Sequence, residues 1–280
     1  MSSTEKNSTV YPPGSSLLFF SDAHLGAFSD DRNRQLEREL VELMEYCEEQ
    51  EIRPVILGDL FDYWMEFDSR PPPLAENLLT WFRNYHRRSG NQTLFVTGNH
   101  DNWSFGYLDS LGFDVEHEYR ILRAGNKRIL VLHGDGLADP AMNLPRPALH
   151  RLLRNSYFIW MYQRVFPPPL GWHLMKKFSK TSKQRNRTHF NSATVSNLDT
   201  WAHSRITEDP ELDAVVYGHH HKPVHAALSG KNALNCGSFA RFKTAALYTN
   251  GKFELVTWMR KRRKLQTFTQ KLPERNGETI

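Results

Sequence analysis

The sequence predicts an α/β fold whose chemical groups gather where strands end. Two observations carry that expectation. Short hydrophobic runs recur along the chain, each breaking off into glycine and polar residues, and amphipathic helical patterns separate the early runs. Five of these breaks carry Asp, Asn or His, and α/β sheets gather their sites at the carboxyl ends of strands. At 280 residues, 39% hydrophobic and 24% charged, the chain can bury a core and is not of disordered composition.

Met1–Ser16 is polar and lacks the basic-then-hydrophobic order of a secretory signal, so residues 1–16 are expected to form a flexible leader. Leu17–Phe20 reads as a short buried strand ending at Ser21-Asp22-Ala23-His24. Over Arg34–Gln50, Leu36, Leu40, Leu43, Met44 and Cys47 share one face of a helix. Pro54–Leu57 is the next strand and runs into Gly58-Asp59-Leu60-Phe61-Asp62. A helix follows over about Leu74–Arg88, then a strand over Gln92–Val96 that delivers Gly98-Asn99-His100-Asp101. Arg128–Leu132 delivers His133-Gly134-Asp135, and Ala214–Tyr217 delivers Gly218-His219-His220-His221. Ala233–Asn235, Thr244–Tyr248 and Phe253–Met259 read as additional antiparallel strands.

Between His133 and Gly218 the pattern changes. Pro147–Phe166 reads as helical and holds the apolar stretch Tyr157–Tyr162, and Met175–Asn197 is rich in Lys and Arg. Residues 139–196 are therefore expected to form a helical insertion, a cap over the core. Core packing accounts for many of its aromatic residues; an apolar substrate channel or a membrane-facing patch is the other reading. The main domain is expected over residues 17–260, with a basic polar tail at 261–280.

No apolar stretch approaches the roughly 20 residues needed to span a bilayer. The two cysteines, Cys47 and Cys236, read as isolated thiols rather than a disulfide framework. A formal charge of +5 and a pI near 9.1 fit an anionic partner, and equally fit simple solubility.

The chemistry lies in the five clusters Asp22-x-His24, Gly58-Asp59-x-x-Asp62, Gly98-Asn99-His100-Asp101, His133-Gly134-Asp135 and Gly218-His219-x-His221. Each alone is explained by a cap or a turn. Together, each following a strand, they form a donor set of carboxylates and imidazoles without cysteine, suited to Mn, Fe or Zn. Strand geometry lets an Asp-x-His or His-x-His pair converge, and glycine lets the backbone turn close to a ligand.

This order of motifs resembles the calcineurin-like metallophosphoesterase family over most of Leu18–Trp258. The resemblance implies a double β-sheet sandwich flanked by helices. It implies that Asp22, His24, Asp59 and His221 hold one cation, that Asp59 bridges, and that Asn99, His133 and His219 hold a second. Two cations about 3.5–4 Å apart lower the pKa of a bridging water and clamp phosphoryl oxygens. His100 is then the residue that touches phosphate or protonates the departing oxygen, and Asp101 orients His100 or stabilises its turn. Asp62 and Asp135 are expected to orient ligand histidines or support the motif turns. His220 receives no role and reads as an exposed histidine.

Within the family, DAH, GDLFD with Trp64, HGDGL and GHHHKP resemble bacterial UDP-2,3-diacylglucosamine diphosphatases, the LpxH-like group. That resemblance implies hydrolysis of the substrate pyrophosphate to UMP and 2,3-diacylglucosamine 1-phosphate in lipid A biosynthesis. It also implies Mn2+ (with Fe2+, Co2+ or Zn2+ as other cations), a cytoplasmic, peripheral position at the bacterial inner membrane, and a lid over the acyl chains. The sequence departs from the group at His100, where its best-known members carry arginine. Lys176, Lys177, Lys180, Lys183, Arg185 and Arg187 offer charge for the substrate, and Ser179, Lys180 and Lys183 are the candidate substrate contacts. A nuclease or nucleotide phosphodiesterase is the alternative, for which the Arg260–Lys264 run could contact phosphates. Tyr63-Trp64 stands where protein phosphatases carry Arg-Gly, which disfavours that class. A non-catalytic scaffold or lipid-binding module should have lost ligands, and every expected ligand position is filled.

Overall fold

Leu17 and Phe19 face one way from their strand and Leu18 and Phe20 the other, and all four are fully buried. A strand covered on both faces needs a layer on each side, and the computed structural model supplies them. It describes residues 8–67, 70–188 and 192–269; within these, the side chains of 178, 180–188 and 192–196 are not described.

In chain order the strands are β1 Ser8–Tyr11, β2 Ser16–Phe20, β3 Ile52–Leu57, β4 Thr93–Val96, β5 Phe113–Glu116, β6 Tyr119–Ala124 and β7 Lys127–Leu132. After the cap come β8 Ala214–Tyr217, β9 Val224–Leu228, β10 Lys231–Asn235, β11 Thr244–Thr249, β12 Lys252–Met259 and β13 Lys264–Thr267. The helices are α1 Asp30–Glu49, α2 Glu76–Ser89, α3 Tyr107–Ser110, α4 Ala148–Leu153, α5 Ser156–Val165, α6 Pro168–Thr188, α7 Ser192–Glu208 and α8 Phe239–Phe242. One sheet runs β1-β6-β7-β8-β10-β9 and the other β13-β12-β11-β2-β3-β4-β5. The β2–β5 strands are mutually parallel, so their carboxyl ends lie on one edge.

Alternation assigns the layers. Leu17, Phe19, Val55, Leu57, Val131, Ala214 and Val216 fill the space between the sheets. Leu18, Phe20 and Ile56 face α1 and α2, while Leu130, Val215 and Tyr217 face Leu198, Trp201 and Ala202 of α7. The double-sheet sandwich flanked by helices, with a helical insertion, is thus observed. α1 begins at Asp30 rather than Arg34 because Ser29 caps it, accepting from the Arg32 amide, and Asp30 and Asp31 complement the helix dipole.

Three boundaries differ from expectation. Ser8–Tyr11, inside the segment read as a leader, pairs in parallel with β6. Lys264–Thr267, inside the segment read as a tail, pairs with β12. The helix expected over Pro147–Phe166 breaks into α4 and α5, because Asn155 caps a new start by accepting from the Phe158 amide.

The cap has a small core of its own in which Phe158, Ile159, Tyr162, Trp172 and Met175 pack on Met65, Phe67 and Trp103. Trp172 Nε1 donates to the Met65 carbonyl (2.8 Å), and Trp103 Nε1 to that of Leu153 (2.7 Å). Core packing therefore explains these aromatics. It does not explain Tyr157 and Trp160, which are 69% and 54% exposed.

Candidate metal centre

The ladder of β2 and β3 continues beyond the strands: the Asp22 amide donates to the Gly58 carbonyl (3.1 Å) and that of His24 to Asp59 (2.9 Å). This brings the first two motifs side by side. The Gly218 amide donates to the His133 carbonyl (2.9 Å), which joins the last two. Gly58 has φ +80°, and a Cβ there would lie 2.6 Å from both the Gly98 nitrogen and His133 Nδ1, so only glycine lets the motifs meet. Asp22, His24, Asp59, His219 and His221 all take positive φ values. Non-glycine residues avoid that region, and strain of this kind persists where the surroundings enforce it, often at functional sites.

Around Asp22 the donors converge. Its Oδ2 accepts from Ser21 Oγ (2.6 Å) and the His219 amide (3.1 Å), which leaves Oδ1 buried with no hydrogen bond among the described residues. Oδ1 lies 3.2 Å from His221 Nε2 and 3.8 Å from His24 Nε2, and the two imidazole nitrogens are 3.1 Å apart. Asp59 Oδ2 lies 3.8 Å from His24 Nε2 and 3.4 Å from His133 Nε2, while its Oδ1 accepts from the His100 amide (2.9 Å). Asp59 thus stands between the two groups. His133 Nδ1 donates to the Leu57 carbonyl (2.8 Å), leaving Nε2 to face a metal; Nε2 and Asn99 Oδ1 are buried with no hydrogen bond among the described residues. The His219 ring lies 5.1 Å from that of His133.

Donor atoms of Asp22, His24 and His221 lie within 4.8 Å of one another, as do those of His24, Asp59 and His100, and of Asp22, Asp59 and His133. Ligands bound at about 2.0–2.2 Å must stand at such separations, and buried oxygen and nitrogen atoms with lone pairs facing one point fit a divalent cation. The charges agree. Burial opposes ionisation of Asp22 and Asp59, yet the imidazoles of His221 and His133 respectively hold them well below the ordinary carboxylate range. Burial likewise opposes a charged His133, but Asp59 outweighs it and raises the ring to about 10, so that a proton holds the place of a cation's charge and metal binding would displace it from Nε2. His219 falls to about 4 through burial and the neighbouring His133, which keeps its nitrogen lone pair available.

Among the supporting residues, Asp62 Oδ1 lies 3.5 Å from His24 Nδ1, as expected of an orienting carboxylate. Asp101 does not orient His100. Its Oδ1 accepts from the Gly98 amide (2.7 Å) and its Oδ2 from that of Leu60 (2.8 Å), so it ties two motif turns together. Burial and then Asp59 push it up to about 7. His100 Nδ1 donates instead to the Asp62 carbonyl (2.8 Å). His220 is buried, not exposed. Ser179 is buried and donates to Asp62 Oδ2 (2.9 Å), a cap-to-core bond; Lys180 and Lys183 lie outside the described residues.

The sequence reading missed Arg154 and His150. Arg154 donates to Asp135 (3.0 Å), the Gly98 carbonyl (3.1 Å) and the His117 carbonyl (3.0 Å), and holds Asp135 low against the effect of burial. His150 Nδ1 lies 3.7 Å from Asp135. No spacing rule links a cap helix to a motif about twenty residues earlier. The one signal was Asp135 itself, a carboxylate in need of a cation.

A family model for calcineurin-like phosphoesterases matches residues 15–223. The chain belongs to that family. Among the curated relatives of this calcineurin-like phosphoesterase are a UDP-2,3-diacylglucosamine hydrolase of Porphyromonas gingivalis, 26% identical over 250 residues (84% of this chain, 94% of the relative), and one of Serratia proteamaculans, 25% identical over 206 residues (72% and 80%). Solved structures with similar folds include an archaeal phosphodiesterase, at 10% identity and TM-score 0.44 (86% of this chain, 98% of that one). Vps29 of Entamoeba histolytica complexed with zinc is at 13% identity and TM-score 0.40 (90% and 96%).

Proposed function

We propose that the chain uses two divalent cations to hydrolyse the pyrophosphate of UDP-2,3-diacylglucosamine, giving UMP and 2,3-diacylglucosamine 1-phosphate. The observation that carries this reading is the cavity between the metal centre and the cap. It is lined by the polar Asp62, Asn99, His100, His150 and Ser179 and by the apolar Trp64, Met65, Trp103, Leu149, Leu153 and Met175. A substrate that carries both phosphate and hydrocarbon suits a lining of both kinds. The names of the relatives support the same substrate.

Asp22, His24, Asp59 and His221 would hold one cation, and Asp59, Asn99, His133 and His219 the other. Divalent cations so held supply Lewis acidity, activating water and neutralising phosphoryl charge. His100 lines the cavity with Nδ1 anchored on the Asp62 carbonyl, which leaves Nε2 to contact a phosphoryl oxygen or to pass a proton to the leaving group. Water adds across one P–O bond, so one phosphate leaves with uridine and the other with the sugar.

The cavity is only about 60 Å3, too small to enclose two acyl chains, so the described residues form no closed lipid channel. The apolar surface continues outward. Leu149 lines the cavity and is 48% exposed, and Leu152, Tyr157, Trp160, Met161, Val165 and Leu170 are exposed along α4, α5 and the start of α6. Between Asp139 and Asp199 the chain has no Asp or Glu but ten Lys and Arg. We read this face as the route by which the acyl chains pass from an anionic bilayer to the cavity, at the cytoplasmic side of the inner membrane. No helix among the described residues is long and apolar enough to cross a membrane. Of the basic run that the nuclease alternative would use, Arg260 is paired through two bonds to Glu42 (2.6 Å each) and Arg263 to Glu49 (3.2 Å), while Lys261, Arg262 and Lys264 are exposed.

With Mn2+ present, the purified chain is expected to release UMP from UDP-2,3-diacylglucosamine and to prefer it to UDP-N-acetylglucosamine. Separate detection of UMP and the sugar-lipid phosphate tests this. Equal subsaturating rates on the two substrates, or no UMP from the lipid, would overturn the substrate assignment.

A further inference from the structure

His220 stands between the two last metal-ligand candidates, and the chemistry above gives it no part. It is buried, with 2% of its side chain exposed, and both ring nitrogens are used. The Lys222 amide donates to Nδ1 (3.2 Å), so the ring proton sits on Nε2, which donates to Asp199 Oδ1 (2.8 Å). The same oxygen accepts from the Tyr217 hydroxyl (2.6 Å), and the Tyr217 ring packs edge-on against His220. Asp199 is on α7, which Leu198, Trp201, Ala202 and Ile206 fasten to the outer face of the sheet containing β8. The carboxylate therefore reaches the His-rich loop from a rigid support.

The loop needs one. His219 and His221 have φ of 74° and 63°, an unfavourable region for a residue with a Cβ. Two such residues separated by one position relax unless the residue between them is held. His219 faces His133, and His221 faces Asp22 and His24, so a rotation at His220 would displace one ligand from each cation site together.

We propose that His220 and Asp199 act as a positioning pair that sets the affinity of both cation sites at once, with Tyr217 holding Asp199 in place. This rests on reading His219 and His221 as ligands. It assigns work to the one histidine of the loop that touches neither cation site. Its physical basis is that partners behind metal ligands are typically worth 10–100-fold in metal affinity.

The test is titration of the metal-stripped protein with Mn2+, following the free ion by electron paramagnetic resonance at a temperature where each variant is shown by circular dichroism to be folded. Asp199→Ala and His220→Ala are each expected to weaken Mn2+ binding about 10–100-fold at both sites. The double variant is expected to lose no more than either single one, because one bond is broken in all three. Asp199→Asn keeps an acceptor oxygen and is expected to restore most of the affinity. Wild-type binding by a folded Asp199→Ala protein, additive losses in the double variant, or no recovery with Asp199→Asn would each overturn the pair. Should His220→Ala not fold, Asp199→Ala decides alone, since alanine suits a helix interior. Failure of the wild-type protein to bind Mn2+ would instead overturn the ligand assignment.

Discussion

His100 and Asp101 are neighbours whose partners separate their roles. His100 lines the cavity and is anchored through Nδ1, whereas Asp101 is fully buried and spends its oxygens on the amides of Gly98 and Leu60. Replacing His100 by alanine is expected to lower turnover about 10²–10⁴-fold while Mn2+ stoichiometry stays at the wild-type value. Replacing Asp101 by alanine strips two buried amides of their acceptor, at about 1–3 kcal/mol for each unsatisfied group. It is expected to show first as a lower urea midpoint, and an unchanged midpoint with lost turnover would return Asp101 to a chemical role.

In the parallel region β2, β3 and β4 each end in a turn that presents candidate ligands, and the helices behind them keep those ends aligned. α2 illustrates how closely this packing is made. His86, on its inner face, donates from Nδ1 to the Leu111 carbonyl (2.7 Å) and accepts at Nε2 from Thr93 Oγ1 (2.9 Å), joining the helix to β4 and to the turn before β5. Burial lowers its pKa, and the Leu111 carbonyl only partly offsets that. The unfolded chain then takes up a proton near pH 6.5 that the folded chain refuses. Stability is accordingly lost as pH falls below about 6.5 toward the depressed folded value. His86→Gln is expected to flatten this dependence. Urea midpoints at pH 7 and pH 5 check it, and an equal drop in both proteins would remove His86 as the cause.

Across the molecule, charge and apolar surface are unevenly shared. The cap bears an excess of cations and, among the described residues, most of the exposed large hydrophobic side chains, although it packs on the core through Met65, Phe67 and Trp103. Tyr157 and Trp160 stack at 5.9 Å, and the Arg164 guanidinium lies 5.8 Å from the Trp160 ring centre, an aromatic and cationic pairing common at bilayer interfaces. Trp160→Glu is expected to reduce co-sedimentation with vesicles containing anionic phospholipid by about tenfold or more, given about 1.5–3 kcal/mol for burying one large apolar side chain. Retention equal to wild type would exclude this face as the membrane contact.

The sequence by itself determined an α/β chain whose hydrophobic runs end in Asp, Asn and His, while the double sheet followed from its resemblance to a family and not from patterning. Strand ends and ligands are local features, written in hydrophobic runs that stop at Gly58, Gly98 and Gly218 and in Asp and His residues beside them. The sequence left Asp62 to orient some ligand histidine or to support a turn; that His24, from a different motif, is the one beside it was decided by the pairing of β2 with β3. Tertiary structure alone decided the rest. Arg154 meets Asp135, Ser179 meets Asp62, and Asp199 meets His220 across gaps that no periodicity encodes. Ser8–Tyr11 and Lys264–Thr267 became strands because an unpaired sheet edge lay beside them, not because their own residues demanded it. Hydrogen-bond partners brought together by folding depend on where whole elements pack, and that information is spread over the chain rather than held at either residue.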